Sequence, residues 1–390
     1  YWNIIFFEET ISLIMNIQLH DNNKHLEFAP LTLTRPVGDL RMGILTNAER
    51  WKLWLKDAVI SFETEDYLAD KFPSQSNAVN VNACMIPNND VVEAIKKLKG
   101  NEELVVDGNW IAKIGTGDVI INFNGEKPLY INERWEIFQK NDVILKSDFE
   151  LITKGRTSVQ LSSTNTIIGD HQLIFLEDGA KVEASILNTT NGPIYIGKNA
   201  EIMEGSIVRG GLGMCEESAL KLGTKVYGAT TLGPHCKVGG EVNNVIFQAY
   251  SNKGHDGFLG NSVIGEWCNL GADTNTSNLK NNYGKVKTYS FRTQKQEQTD
   301  VQFMGLVMGD HSKSGINTMF NTATVVGVSS NLFGAEFPNK YIPSFQWGTS
   351  GEIYNFDKAI ESANSMMERR GLQLTSAEIS ILKHIADTAK

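Results

Sequence analysis

The sequence predicts an α/β unit, then a parallel β-helix of six-residue rungs, then a short helical tail. Three observations carry this. First, aliphatic residues followed by small ones recur in steps of six between Ile194 and Phe333. Second, residues 15–128 mix short strand and helix patterns. Third, two helix-like stretches, 356–369 and 376–388, follow the repeat. The expected divisions are an α/β unit over 15–128, a linker helix over 129–157, the coil over 158–345 and the tail over 346–390.

The repeat is countable. Ile196, Ile202 and Val208 are six apart, as are Val226, Leu232 and Val238. Ile264 and Leu270 keep the step, and so do Met308, Ser314, Phe320, Val326 and Leu332. Gly233, Gly239, Gly265, Gly271, Gly309, Gly315 and Gly327 stand one place on from members of these series. A helix would place apolar residues three and four apart, and a plain strand would alternate. A step of six instead describes one flat side of a triangular solenoid, with the aliphatic side chain inside. The repeat is expected to break around 247–258 and 275–304, and insertions in a solenoid map to loops.

Composition narrows the function. The 390 residues are 41% hydrophobic and 21% charged, ordinary values for a soluble two-domain protein. A net charge of −9 excludes broad nucleic-acid binding, which needs basic surface. Four cysteines, none in a CxxC pair, suit a reduced, cytoplasmic protein. No apolar run is long enough to cross a membrane. Residues 1–14 are apolar but contain Glu8 and Glu9, unlike a signal peptide. Either Met15 is the natural start or an extra strand precedes it; the sequence leaves both open.

In the α/β unit, Ile17–Leu19 reads as a strand. Residues 47–56 read as a helix capped by Asn47, and 90–98 as a second helix. The segment Pro30-Leu31-Thr32-Leu33-Thr34-Arg35-Pro36 resembles the stretch after the nucleotide-binding loop of sugar-1-phosphate nucleotidyltransferases. The resemblance implies a truncated, Rossmann-like nucleotidyltransferase unit that meets a nucleoside triphosphate, with Mg as metal. Two features depart from it. Asp21-Asn22-Asn23-Lys24 replaces the Gly-rich loop, and Val37 stands where a phosphate-binding lysine is expected. Arg35 and Arg41 are the cations left for phosphate. Asp107 is the best single carboxylate for a metal, although an aspartate before Gly108 equally suits a turn. Residues 135–149 resemble the arm helix that joins catalytic unit and coil in hexapeptide-bearing members.

The coil segment Gly192–Ala200 resembles the same family, whose β-helix is left-handed. The run Lys253-Gly254-His255 through Phe258, then Asn269-Leu270-Gly271-Ala272, resembles the acetyltransferase site of the bifunctional GlmU type. Downstream, Thr276–Lys280, Val286-Lys287, Arg292 and Gly309–Asn317 resemble the archaeal nucleotidyltransferase/acetyltransferase branch. The resemblance implies acyl transfer from acetyl-CoA to an amino-sugar phosphate or nucleotide sugar. Histidine titrates in the range a general base needs. His255 is then the base, and Asn269 positions the amine or acyl group. Lys253, Phe258 and Ala272 fall among the binding positions. Lys280, Lys285, Lys287, Arg292 and Lys313 would meet phosphates, and Asn282-Tyr283-Gly284 would contact the coenzyme. No metal is expected in the coil. Phe258 replaces a family tyrosine, so a different acceptor is expected. His311 is expected to be structural and His235 to lie on the surface.

Other readings stay open. The chain could be a nucleotidyltransferase whose coil is a trimerisation scaffold, or a catalytically decayed binding or assembly protein. A zinc lyase would need three histidines close across rungs, and His235, His255 and His311 lack that spacing. A homotrimer with the site between subunits is expected, because Trp267, Phe291, Phe303 and Phe320 are many aromatics for a coil interior.

Overall fold

The computed structural model describes residues 15–389. The choice between a start at Met15 and an extra strand lies outside the described residues. In the α/β unit a six-stranded sheet runs in the order 59–63, 16–20, 79–82, 109–113, 102–106, 119–122. Only Asn109–Lys113 is antiparallel to its neighbours. Ile17 and Leu19 alternate with polar residues and are fully buried, as a strand with one face on a core requires.

Two helices pack against this sheet, α1 (Asn47–Trp54) and α2 (Asn89–Ile95). The cap of α1 is Thr46, which forms a capping box with Glu49, and not Asn47. Asn47 is buried and donates to the carbonyls of Ala83 and Met85. The 28–36 segment is not extended throughout, since Leu31–Thr34 forms a 3-10 turn. The arm helix is broken at Lys140, and its main part is α3 (Asn141–Thr153).

The coil has three parallel ladders, one per side. Leu176, Ile196, Met214, Leu232, Phe247, Ile264, Met308, Val326 and Ile342 form one inward column of a single buried core. All the aliphatic residues of the six-step count, and Phe320, belong to that core. The adjacent glycines do not turn the corners. They admit the next turn's backbone: a Cβ on Gly233 would sit 1.7 Å from the Gln248 carbonyl oxygen. The corners use residues with positive φ, among them His235, Tyr250, Trp267 and His311.

The expected break at 247–258 is not one. Asn252–Lys253 pairs with Lys237–Val238 before it, and Asn252 with Asn269 after it, so the ladder is continuous. The excursion over 275–304 is real and contains an antiparallel hairpin, Lys287–Ser290 with Lys295–Gln298.

The tail holds α4 (Phe356–Glu368) and α5 (Ser376–Thr388). They do not close the coil's end. They fold back along a corner, packing on Trp267, Val328 and Phe345 and on Leu68 and Phe72 of the α/β unit. Trp267 and Phe320 are buried, Phe291 packs on Tyr289 and Tyr341, and only Phe303 of the four aromatics is exposed. The aromatic count therefore does not argue for a subunit contact.

One ion cluster joins the α/β unit to the coil. Arg35 is buried and donates to Glu266 at 2.6 Å and Asp310 at 2.5 Å. Burial alone would raise the Asp310 carboxyl. The Arg35 guanidinium, the Thr34 hydroxyl and the Glu266 amide outweigh it and hold Asp310 below its usual range. Removing one partner of such a pair strands a buried charge, at a cost of about 3–5 kcal/mol. Arg35→Ala should therefore lower the unfolding free energy by roughly that amount. Chemical denaturation measures it, and a loss below about 1 kcal/mol would show the cluster to be peripheral.

Candidate active site

A cleft of about 530 Å³ opens on the coil side that carries Asn252 and Asn269. Of the residues singled out in the sequence, it gathers His255, Asn269 and Ala272. Asn269 belongs to an outward row whose register runs Lys237, Asn252, Asn269, Lys313. His255 stands at the corner just after strand Asn252–Lys253, and its side chain is exposed. Among the described residues its imidazole has no hydrogen-bond partner. Tyr250 and Trp267 line it as a stacked pair, ring centroids 4.2 Å apart, and His235 stacks on Tyr250 at 4.9 Å. His235 is thus half-buried in a stack and not a free surface residue.

Four cations that were not singled out in the sequence also line the cleft: Lys221 and Lys237 from the coil, Arg369 and Arg370 from the end of α4. No carboxylate lines it. Among the described residues none of the four has an ion pair. Burial, then Arg370 and Lys221, depress the Lys237 pKa, as crowded positive charge should.

Lys253 does not face the cleft. It fills the inward column between Val238 and Leu270 and is 1% exposed. Its ammonium donates to the carbonyls of Gly239 at 3.1 Å and His255 at 3.0 Å. It therefore supports the His255 corner from inside the coil and is not available to a ligand. The Phe258 ring lies against Gly260, away from the cleft lining.

The remaining positions are scattered. Lys313 continues the row beyond Asn269, with its ammonium on the His311 carbonyl at 3.2 Å. Lys280, Asn282, Tyr283, Lys285 and Lys287 lie on the excursion and do not line the cleft. Lys280 donates to the Lys285 carbonyl, and the Tyr283 carbonyl accepts from Gln302. Arg292 pairs with Glu27 at 3.0 Å. His311 is buried beside Asp310, and burial pushes it down to about 4, a structural role.

The cations expected to meet a triphosphate are occupied. Arg35 is held in its ion cluster, and buried Arg41 donates to Gln248, Ile44 and Glu49. Asp107 sits in a positive-φ turn with Gly108 and pairs with Lys127 at 2.6 Å. Asp21 is committed to Val37, Thr64 and His25. These carboxylates do not offer a pair for Mg, and among the described residues no three His, Cys, Asp or Glu side chains converge.

In outline, an α/β unit rides on a parallel β-helix, with the cleft on one side of the helix. Comparison with known proteins agrees with the resemblance carried by the motifs. Residues 17–157 match the family model described as sugar nucleotidyl transferase. The chain is similar to the bifunctional protein GlmU of Methanocaldococcus jannaschii, 34% identical over 87 residues, 22% of this chain and 21% of that protein. It is similar to the GlmU of a Cyanothece species, 23% identical over 274 residues, 65% of this chain and 55% of that one. The chain thus spans only part of these relatives. Among solved structures, the polySia specific acetyltransferase NeuO aligns with 53% of this chain and 94% of its own, at 12% identity and a TM-score of 0.28.

Lys253 gives a pH test. Burial pushes its pKa from 10.5 down to about 8. Between those values the unfolded chain binds more protons than the folded one, so stability rises with pH there. Below pH 8 the full cost of burying the charge applies. Lys253→Met should remove a rise of roughly 2 kcal/mol between pH 7.5 and 9.5. Urea midpoints of both proteins at those pH values measure it, and parallel curves would show that Lys253 does not titrate there.

Proposed function

We propose that the chain is a sugar-nucleotide pathway transferase that moves an acetyl group from acetyl-CoA to an amino-sugar phosphate or nucleotide sugar in the coil cleft. The observation that carries this is the meeting of His255, Asn269 and a set of unpaired cations in one cleft. The amine nitrogen attacks the thioester carbonyl as His255 takes its proton. The C–N bond forms, the C–S bond breaks, and the proton passes to the leaving thiolate. Asn269 orients the amine or acyl group. Cations fix the phosphate, which positions the amine without changing the chemical step. His255→Ala should abolish acyl transfer and leave the melting temperature within a few degrees, since the side chain is exposed. Retained turnover would reassign the base.

The family match over 17–157 supports descent from a nucleotidyl transferase, but Arg35 and Arg41 are tied up in internal contacts. Nucleotidyl transfer is therefore expected to be weak or absent. Robust pyrophosphate release from a nucleoside triphosphate and a sugar 1-phosphate would reverse this, and would favour the coil as scaffold. A second reading, a binding or assembly protein without turnover, is favoured by one observation: His255 lacks an orienting partner among the described residues. A screen that finds ligand binding but no acyl transfer would select it. The homotrimer is retained as part of the proposal. Exposed Ile168, Ile186 and Ile207 on the remaining coil side support it, and the mass in solution decides between one chain and three. No helix among the described residues is long and apolar enough to cross a membrane.

A further inference from the structure

A second cavity, of about 460 Å³, lies where four parts of the chain meet. Tyr67 comes from the α/β unit, Phe291 from the 275–304 excursion, Tyr341 from the last turn of the coil, and Thr388 from the end of α5. Its size falls in the range of small-molecule sites. It shares no lining residue with the coil cleft, and the proposed acyl transfer does not use it. Its walls are fixed from behind. Tyr67 donates to the Leu33 carbonyl at 3.0 Å and stacks on His384 at 4.1 Å. Tyr289 stacks on Tyr341 at 3.5 Å, and Phe291 lies perpendicular to both. Stacked rings meet a guest mainly through their edges, and ring edges favour the face of another ring.

Charge is the reverse of the cleft's. Glu65 lines the cavity, and among the described residues no lysine or arginine does. Arg292, the neighbour of Phe291, is held by Glu27 at 3.0 Å. Burial, then Glu65, raises the Tyr67 pKa, and burial, then Tyr289, raises that of Tyr341, so both hydroxyls stay neutral. The two lining histidines are engaged by Tyr67: His25 Nε2 is 3.1 Å from its hydroxyl, and His384 covers its ring. A bound anion would meet no fixed positive charge. A carboxylate and phenolic oxygens suit an ammonium group, which only donates.

We infer that this junction cavity binds a small aromatic amine, its ring packed among Tyr67, Tyr289, Phe291 and Tyr341 and its ammonium held by Glu65 and the phenolic oxygens. The site stands apart from acyl transfer, whose proposed substrates are anions. Its occupant would touch both units, the excursion and the tail at once.

Ligand-observed NMR titration of the full chain at about pH 8, above the ordinary titration range of histidine, compares benzylamine, benzyl alcohol and benzoate. The three share one ring and differ in charge. Benzylamine should bind at least tenfold more tightly than benzoate, with benzyl alcohol between them. Glu65→Gln should bring benzylamine to the affinity of benzyl alcohol and leave benzyl alcohol unchanged. Glu65→Lys should reverse the order, with benzoate tightest. Glu65 is exposed, so both variants should fold. If they do not, Thr388→Lys at the exposed end of α5 should remove the benzylamine preference. His255→Ala should change none of the three affinities, so a failure of the catalytic reading leaves this one standing. Equal affinities, a preference for benzoate, or a benzylamine preference that survives Glu65→Gln overturns the inference.

Discussion

The buried guanidinium of Arg35 is the joint on which the other contacts depend. It bridges Glu266 and Asp310, which belong to successive turns of the coil, while its own backbone belongs to the α/β unit. Asp310 also accepts from the Glu266 amide at 2.8 Å, so the two turns are locked to each other as well as to Arg35. The residue after Glu266 is Trp267, on which the tail helices pack. Those helices in turn carry Arg369 and Arg370 to the cleft. A charge cluster this deep is a poor source of net stability, because desolvation offsets most of the attraction. What the contacts show is a tie from the α/β unit to two successive turns of the coil at once.

The same segment spends its cations on protein partners. Thr34 and Arg35 both donate to the Asp310 carboxylate of the coil. Arg41 does the same one turn away by donating to Gln248 of the coil. Asp148 of α3 completes the arrangement, accepting from Arg50 at 2.8 Å and from the amides of Ile44 and Leu45. Each of these charged groups is satisfied by a fixed protein partner. Such contacts, once buried, are expensive to reopen.

The coil was legible because every turn returns to the same inward position, so the six-residue step survives in the sequence. It became illegible where a lysine took an inward place. Val238, Lys253 and Leu270 form one column, but a charged residue in that column looks like an interruption of the repeat. The sequence pattern therefore reads the His255 corner as a loop inserted in the coil, although His255 itself stands out. Lys221 and Lys237 could have been found by register, since they flank the inward Leu220 and Val238 on the side that carries Asn269. Arg369 and Arg370 could not. Their place follows from the tail folding back on Trp267, a tertiary contact with no local signature. The cap of α1 was missed by one residue, because Thr46 and Asn47 are both good caps and only the reach to Ala83 and Met85 separates them.

The irregular part of the coil has a different use from the one its irregularity suggests. The 275–304 excursion stacks Tyr289 on Tyr341 at 3.5 Å and accepts bonds from buried Arg134 through Thr288 and Tyr289. Arg292 reaches Glu27 of the α/β unit. Burial lowers the Arg134 pKa to about 10, and the group still stays charged at neutral pH because that value is well above it. The excursion is thus a second strap between the two units, not a lid on the cleft. The cleft itself is built from regular rungs, whose outward rows repeat Asn and Lys at the spacing of neighbouring strands. A rigid ladder sets such groups more exactingly than a loop can. The candidate chemistry therefore falls on the repeat, and the interruption serves assembly.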